Sequence, residues 1–548
     1  MIVNYKDKEI EVSENQKIKD ILKDEIANAE RPIIASICNN KVKSLNHIVD
    51  KDCKIELIDY TNTEGRRVYI RGLLYIMAKA FSELYPDVKL TVNYQLSNSM
   101  FCEADNAEIT EEMIRNVKAR MTEIINKDIE IRKVTMTQEE AKEFFERENS
   151  RRGILQVDKK EKADNISLYY CDDYYNYFYG VMPLSTGIIK TFDLEKYKFG
   201  FLIKYPPIDK PDEIVPFVET KKLLSTLNEY DDIYKLLKTN TVYRLNKQVE
   251  KDGGKQVVIL SEALHEKKIS DIADKIVKNK STRVVLIAGP SSSGKTSFAN
   301  RLGIQLMLNG KRPVTLSVDN YFVEREQNPK DEFGNYDFEC IEALDVELLN
   351  NHILRLLNGE EVEIPTFDFA VGHKNYKGNT LKLGPDDILV MEGIHCLNNA
   401  LTHSIPREQK FKIYISDLTV LNLDYYNRIS TTDTRLIRRI VRDNQFRSYP
   451  ALQTIKTWYS VNRGERKYIF PYQEEADVMF NSSLIYELSV LKDYAIPLLK
   501  EIDESNPECA EATRLCNLLQ YFDTISDEFI PKTSLMREFI GGSAFDVY

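Results

Sequence analysis

The segment RVVLIAGPSSSGKTSFANRLGIQLML, residues 283–308, constrains this chain more than any other. A strand-length apolar run leads into GPSSSGKTS, Gly289–Ser297, which matches the GxxxxGK[ST] pattern, and a helical repeat follows. Strand, glycine-rich loop and helix in that order are the context the pattern needs. Gly289, Ser291, Ser292, Ser293, Gly294 and Ser297 are therefore read as a phosphate cradle. Its donors are the backbone N–H groups of the loop and of the helix start. Lys295 places a cation on the terminal phosphates, and Thr296 offers a hydroxyl to Mg²⁺.

From Thr282 onward, strands alternate with helices, the pattern of a parallel α/β sheet. RVVLIAG, PVTLSV, DILVMEG and FKIYIS are its four expected strands. In LSVDNYF, Asp319 falls at the end of the second strand, where an open sheet presents its ligand crevice. A carboxylate there can take the proton of an attacking hydroxyl or hold a metal-bound water; a turn or helix-cap aspartate is the plainer reading. DILVMEG ends in Glu392, a candidate Mg²⁺-organising acid. TRLIRRIVRD sets Arg435, Arg438, Arg439 and Arg442 at i, i+3, i+4 and i+7, one helix face, with Arg447 following. Such a face is often only solvated, but beside a phosphate loop it can act as a lid that neutralises charge on a transferring phosphoryl group. Arg435 and Arg439 are its leading candidates.

With 548 residues, the chain has room for three or four domains. The DKPDE stretch after the Pro206–Pro207 pair marks one boundary. The expected units are an α+β module over 1–60, an α+β domain over 61–207, a mainly helical connector over 208–280, the α/β domain over 281–500 and a helical tail over 501–548. Strands in IVNYKDKEIEV, a helix in KIKDILKDEI, and strands in PIIASIC and KIELIDY give the first module the order β-β-α-β-β, as in a β-grasp fold. No apolar run reaches membrane-span length. The 8 cysteines lie singly, as reduced thiols would, and the N-terminus lacks a signal-peptide pattern, so a cytoplasmic location is expected. A net charge of −11 argues against a bulk polyanion binder.

The phosphate loop, LSVDNYF, NYDF, PTFDF, MEGIH and TRLIRRIVRD, in that order, resemble the uridine kinase and phosphoribulokinase family over about residues 282–490. The resemblance implies a doubly wound parallel sheet and an ATP- and Mg²⁺-dependent kinase moving a γ-phosphate to a small alcohol, commonly the hydroxyl of a uridine- or cytidine-like nucleoside. It makes Asp319 the base. It sets Tyr336 and Asp337 beside the acceptor, with Asp337 on the ribose, and turns Phe367, Phe369 and His373 toward the base. His395, in MEGIH, has a structural place. The acceptor pocket departs from the family pattern. Nucleoside kinases usually carry Tyr where Phe367 stands, and a His one residue earlier than His373. A lost base-reading donor can change specificity by orders of magnitude. A kinase of another alcohol or of a sugar phosphate is the alternative.

The front of the chain resembles threonyl-tRNA synthetases, with a TGS-like module over 1–60 and an editing-like domain after it. LYPDVKL, ITEEMIRNVKARMTEIINKDIEI, EEAKEFF and PLSTGIIKTF carry the likeness. The family's two pairs of editing ligands fall on Arg71 and Tyr75, and on Phe178 and Met182 within YFYGVMPLSTG. None is His or Cys, so neither zinc nor editing is expected. An RNA end or small ligand at this domain, a nucleotide-gated RNA-binding role for the whole chain, and association into an oligomer stay open.

Overall fold

The computed structural model describes residues 1–147, 166–332, 334, 336–368 and 371–547. Phe369, one of the expected acceptor-site residues, lies outside them, and so does Asn335 of NYDF.

The first sheet has five strands in the order Lys8–Glu11, Ile2–Tyr5, Cys53–Ile58, Ala35–Cys38, Lys41–Lys43. The short strand Lys41–Lys43 was not anticipated from the sequence. It pairs with Ala35–Cys38 across Asn39 and Asn40, which both take positive φ. That conformation suits asparagine better than most residues. Ile18 and Leu22 of the helical segment are buried under the sheet.

The helix Thr63–Leu84 opens the second unit, with the Asn62 side chain capping the N–H groups of Glu64 and Gly65. It packs on an antiparallel four-stranded sheet ordered Asp193–Tyr197, Gly200–Lys204, Ser99–Ala104, Leu90–Leu96. Three helices follow, Lys221–Leu236, Val242–Asp252 and Lys255–Lys278. The last two are broken apart by Gly253 and Gly254, at φ 69° and 86°.

The main sheet of the α/β domain has five strands, all parallel, ordered Pro313–Ser317, Ile388–Glu392, Val284–Ala288, Lys410–Ser416, Val478–Asn481. The fifth strand adds to the four expected; its short sequence VMFN has too little apolar length to stand out. The central strand Val284–Ala288 is buried on both faces, which is why it reads as an unbroken apolar run rather than an alternation. Val285 and Ile287 face one core, and Val284, Leu286 and Ala288 the other.

The first of these cores does not stop at a domain boundary. It runs from Tyr94, Leu96 and Phe101 of the second unit, through the connector helices, to Leu535, Phe539 and Ile540. The tail is thus part of the α/β domain's packing. Polar contacts reinforce the junction. Arg67 pairs with Glu511 at 2.7 Å, and Arg514 with Asp433 at 2.7 Å.

The YFYGVMPLSTG corner lies at this junction. Tyr75, Phe178 and Met182 are buried against one another and the neighbouring core. The Arg71 guanidinium donates to the Val181 carbonyl. The Tyr177 hydroxyl bonds that of Tyr521, and the Tyr179 hydroxyl donates to the Arg514 carbonyl at 2.8 Å. Packed side chains fill the four positions that the resemblance assigns to editing ligands. Among the described residues, no helix is long and apolar enough to cross a membrane.

Candidate active site

The strand Val284–Ala288 delivers the chain into the phosphate loop, and the helix Lys295–Leu308 leaves it. Gly294 takes φ +82°, and a Cβ there would lie 2.5 Å from a Leu535 methyl. Both facts demand glycine. The Lys295 ammonium donates to the carbonyls of Gly289 and Pro290, at 3.2 and 3.4 Å, and so is held at the loop's mouth. The hydroxyls of Ser292, Ser293 and Ser297 are buried with no hydrogen-bond partner among the described residues. Buried polar groups are seldom left so. Together with the loop's N–H groups they fit a ligand rich in acceptor oxygens.

A cavity of about 430 Å³ opens over the loop. The loop residues Ser291–Thr296 line it together with Asp319, Glu392 and Glu339. Phe322, Phe338, Phe367 and Arg325 line it too, and Arg442, Arg447 and Glu538 complete it. Asp319 and Glu392 stand at the carboxyl ends of adjacent parallel strands, where an open sheet gathers its ligand groups.

The arginine helix spans Thr431–Arg447, capped by the Ser430 hydroxyl. Its arginines divide their work. Arg435 is buried in a two-pronged pair with Glu465, at 2.5 and 2.8 Å, and donates to the Ser291 carbonyl at 3.1 Å. Arg438 is buried with Glu487 at 2.5 Å. Breaking a buried pair of this kind costs about 3–5 kcal/mol, so these two arginines are fixed scaffold behind the loop. Arg439 donates to the Ser291 hydroxyl at 2.9 Å. Arg442 and Arg447, further along, reach the cavity itself.

The expected acceptor residues separate. Phe367 is on the cavity wall. Tyr336 is exposed, beside Phe338. Asp337 accepts from the Tyr468 hydroxyl at 2.7 Å and from the Glu339 N–H at 3.1 Å, outside the wall. His373 sits on the short hairpin Thr366–Asp368 and His373–Asn375, exposed, paired with Glu324. His395 is buried against Tyr468. The sequence reading missed Arg325, Phe338, Glu339 and Glu538. Glu339 directly follows the NYDF block, so a wider window would have reached it; Glu538 has no motif around it.

Burial raises the proton affinity of the cavity's carboxylates. Glu392 is pushed up to about 7, chiefly by desolvation, with Lys295 opposing and Asp319 and Glu538 adding to the rise. Glu339 is pushed up to about 7 by desolvation and by Glu465. Asp319 moves up as well; desolvation drives it, and Lys295 and Arg447 pull it back. Asp319 opens onto the cavity, and water there tempers the effect. A folded state that binds a proton more tightly than the unfolded one loses stability as pH rises. For Glu392 the window runs from its ordinary 4.5 to about 7. The expected result is that Glu392→Gln changes the thermal midpoint little at pH 4.5 and raises it at pH 8, by up to about 2 kcal/mol in stability. Equal midpoint shifts at the two pH values would show that Glu392 is not held protonated.

A phosphate loop, two strand-end carboxylates and an arginine helix around one cavity define a P-loop kinase domain. Residues 284–486 match the model of the Phosphoribulokinase / Uridine kinase family. A uridine kinase of Staphylococcus aureus is 29% identical over 201 residues, covering 36% of this chain and 87% of that protein. The front of the chain matches a threonine–tRNA ligase of Clostridium kluyveri, 28% identical over 188 residues. That match covers 34% of this chain, and the chain spans only 30% of the ligase's length. A solved structure described as a possible uridine kinase from Bacillus stearothermophilus is 20% identical. It covers 39% of this chain and 99% of its own, with a TM-score of 0.26.

Proposed function

We propose that the chain transfers the γ-phosphate of ATP to a hydroxyl of a small molecule, with a uridine- or cytidine-like nucleoside as first candidate. The observation that carries this reading is one cavity lined by Lys295 and the phosphate loop, by Asp319, and by Phe322, Phe338 and Phe367. The loop N–H groups and Lys295 bind the phosphates. Asp319 takes the proton of the acceptor hydroxyl as its oxygen forms a bond to phosphorus and the bond to the ADP oxygen breaks. Arg442 and Arg447 meet the negative charge that spreads over the moving phosphoryl group. Thr296 and Glu392 would hold Mg²⁺, which supplies charge neutralisation when bound.

Arg325 on the same wall favours a second reading, an acceptor that carries its own anionic group, such as a sugar phosphate. ADP release measured with ATP, Mg²⁺ and a panel of nucleosides, sugars and sugar phosphates separates the two. One class should raise turnover at least about tenfold over the acceptor-free rate. A flat panel would remove the kinase reading.

A further inference from the structure

The phosphate loop already holds an anion, and the chain itself supplies it. Ser297 is in the first turn of the helix Lys295–Leu308. Its N–H is one of those that a helix start leaves without an intrahelical partner, and in this motif such groups face nucleotide phosphate. Here that N–H donates to the carboxylate of Glu538, at 3.1 Å. Glu538 is 7% exposed and lines the same cavity as Lys295, Asp319 and Glu392.

Its neighbours hold it there. Leu535 closes on Gly294, and the Phe539 ring lies 5.0 Å from the buried Arg438 guanidinium. The Ile540 carbonyl accepts from Gln445 of the arginine helix at 3.0 Å, and the Ser534 hydroxyl donates to Glu262 at 2.5 Å. These contacts join the tail to the loop, to the helix behind it and to the connector. A single N–H cannot serve a carboxylate and a phosphate together. Two like charges brought to one donor in a poorly solvated site also repel strongly.

We propose that the segment Ser534–Ile540 is a built-in competitor of the nucleotide: Glu538 occupies a phosphate position of the loop, and the segment withdraws when ATP seats. This regulation rests on the loop being the ATP site proposed above. The segment is suited to such a role because the tail also meets the front of the chain. Glu511 and Arg514, in the tail helix Cys509–Leu519, engage Arg67 and Asp433, so a change at the front domain has a mechanical route to the loop.

ATP titrated calorimetrically into the full chain tests this. Glu538→Gln keeps the shape of the side chain and removes its charge, and it should bind ATP about tenfold or more tighter than wild type. Equal or weaker binding would overturn the proposal while leaving the loop an ATP site. Absence of ATP binding by both proteins would instead remove the nucleotide reading on which it rests. Hydrogen exchange in the unaltered protein gives a measure that no variant's folding can confound. Saturating ATP and Mg²⁺ should speed exchange at residues 534–540 by about tenfold or more. Unchanged or slowed exchange there, with ATP bound, would show that the segment stays in place.

Discussion

Lys295→Ala should lower acceptor-dependent ADP formation by about 10²-fold or more and weaken ATP binding with it. The ammonium is the one lysine on the cavity wall among the described residues, and its own loop's carbonyls hold it at the mouth. Held there, its positive charge can pair with a terminal phosphate and with the charge that builds on it during transfer. The effect should appear in binding as well as turnover, because the phosphates carry their charge before transfer as well as during it. ADP release and ATP titration on the same preparation check this. A variant that turns over and binds like wild type would remove the loop from the mechanism.

Asp319→Asn should also lower turnover by about 10²-fold or more, but by a different route. The amide keeps the shape and cannot take the acceptor's proton. ATP binding should therefore survive, and that separation of binding from turnover distinguishes this residue from Lys295. The carboxylate's proton affinity is already raised by its surroundings, so the wild-type rate should climb with pH as the base ionises, and the variant should lose that rise. An asparagine variant with wild-type turnover would assign the proton to another group.

The parts of the site that were legible in the sequence are those that local chemistry dictates. GPSSSGKTS after an apolar strand fixes where phosphate-facing donors must lie, and a carboxylate at a parallel strand's end has one place to go. The arginine helix was legible as a face but not in its division of labour. Four basic residues on one stripe look alike until Glu465 and Glu487 bury two of them. The acceptor wall was less legible still. Tyr336 packs beside Lys330, and His373 sits on a three-residue strand, paired with Glu324, 49 residues away; such short segments carry too little periodicity to show which way a side chain faces. Glu538 could not be read at all, because nothing in MREFI announces a neighbour 241 residues away.

That separation has a consequence for how the chain comes into being. Ribosomes add about 5–20 residues per second, so a newly made phosphate loop waits on the order of 10–50 s before Glu538 is polymerised. Leu535, Phe539 and Ile540 also complete an apolar core that includes Tyr94 and Phe101. The earlier-made parts therefore reach their final packing only after residues 535–540 have emerged.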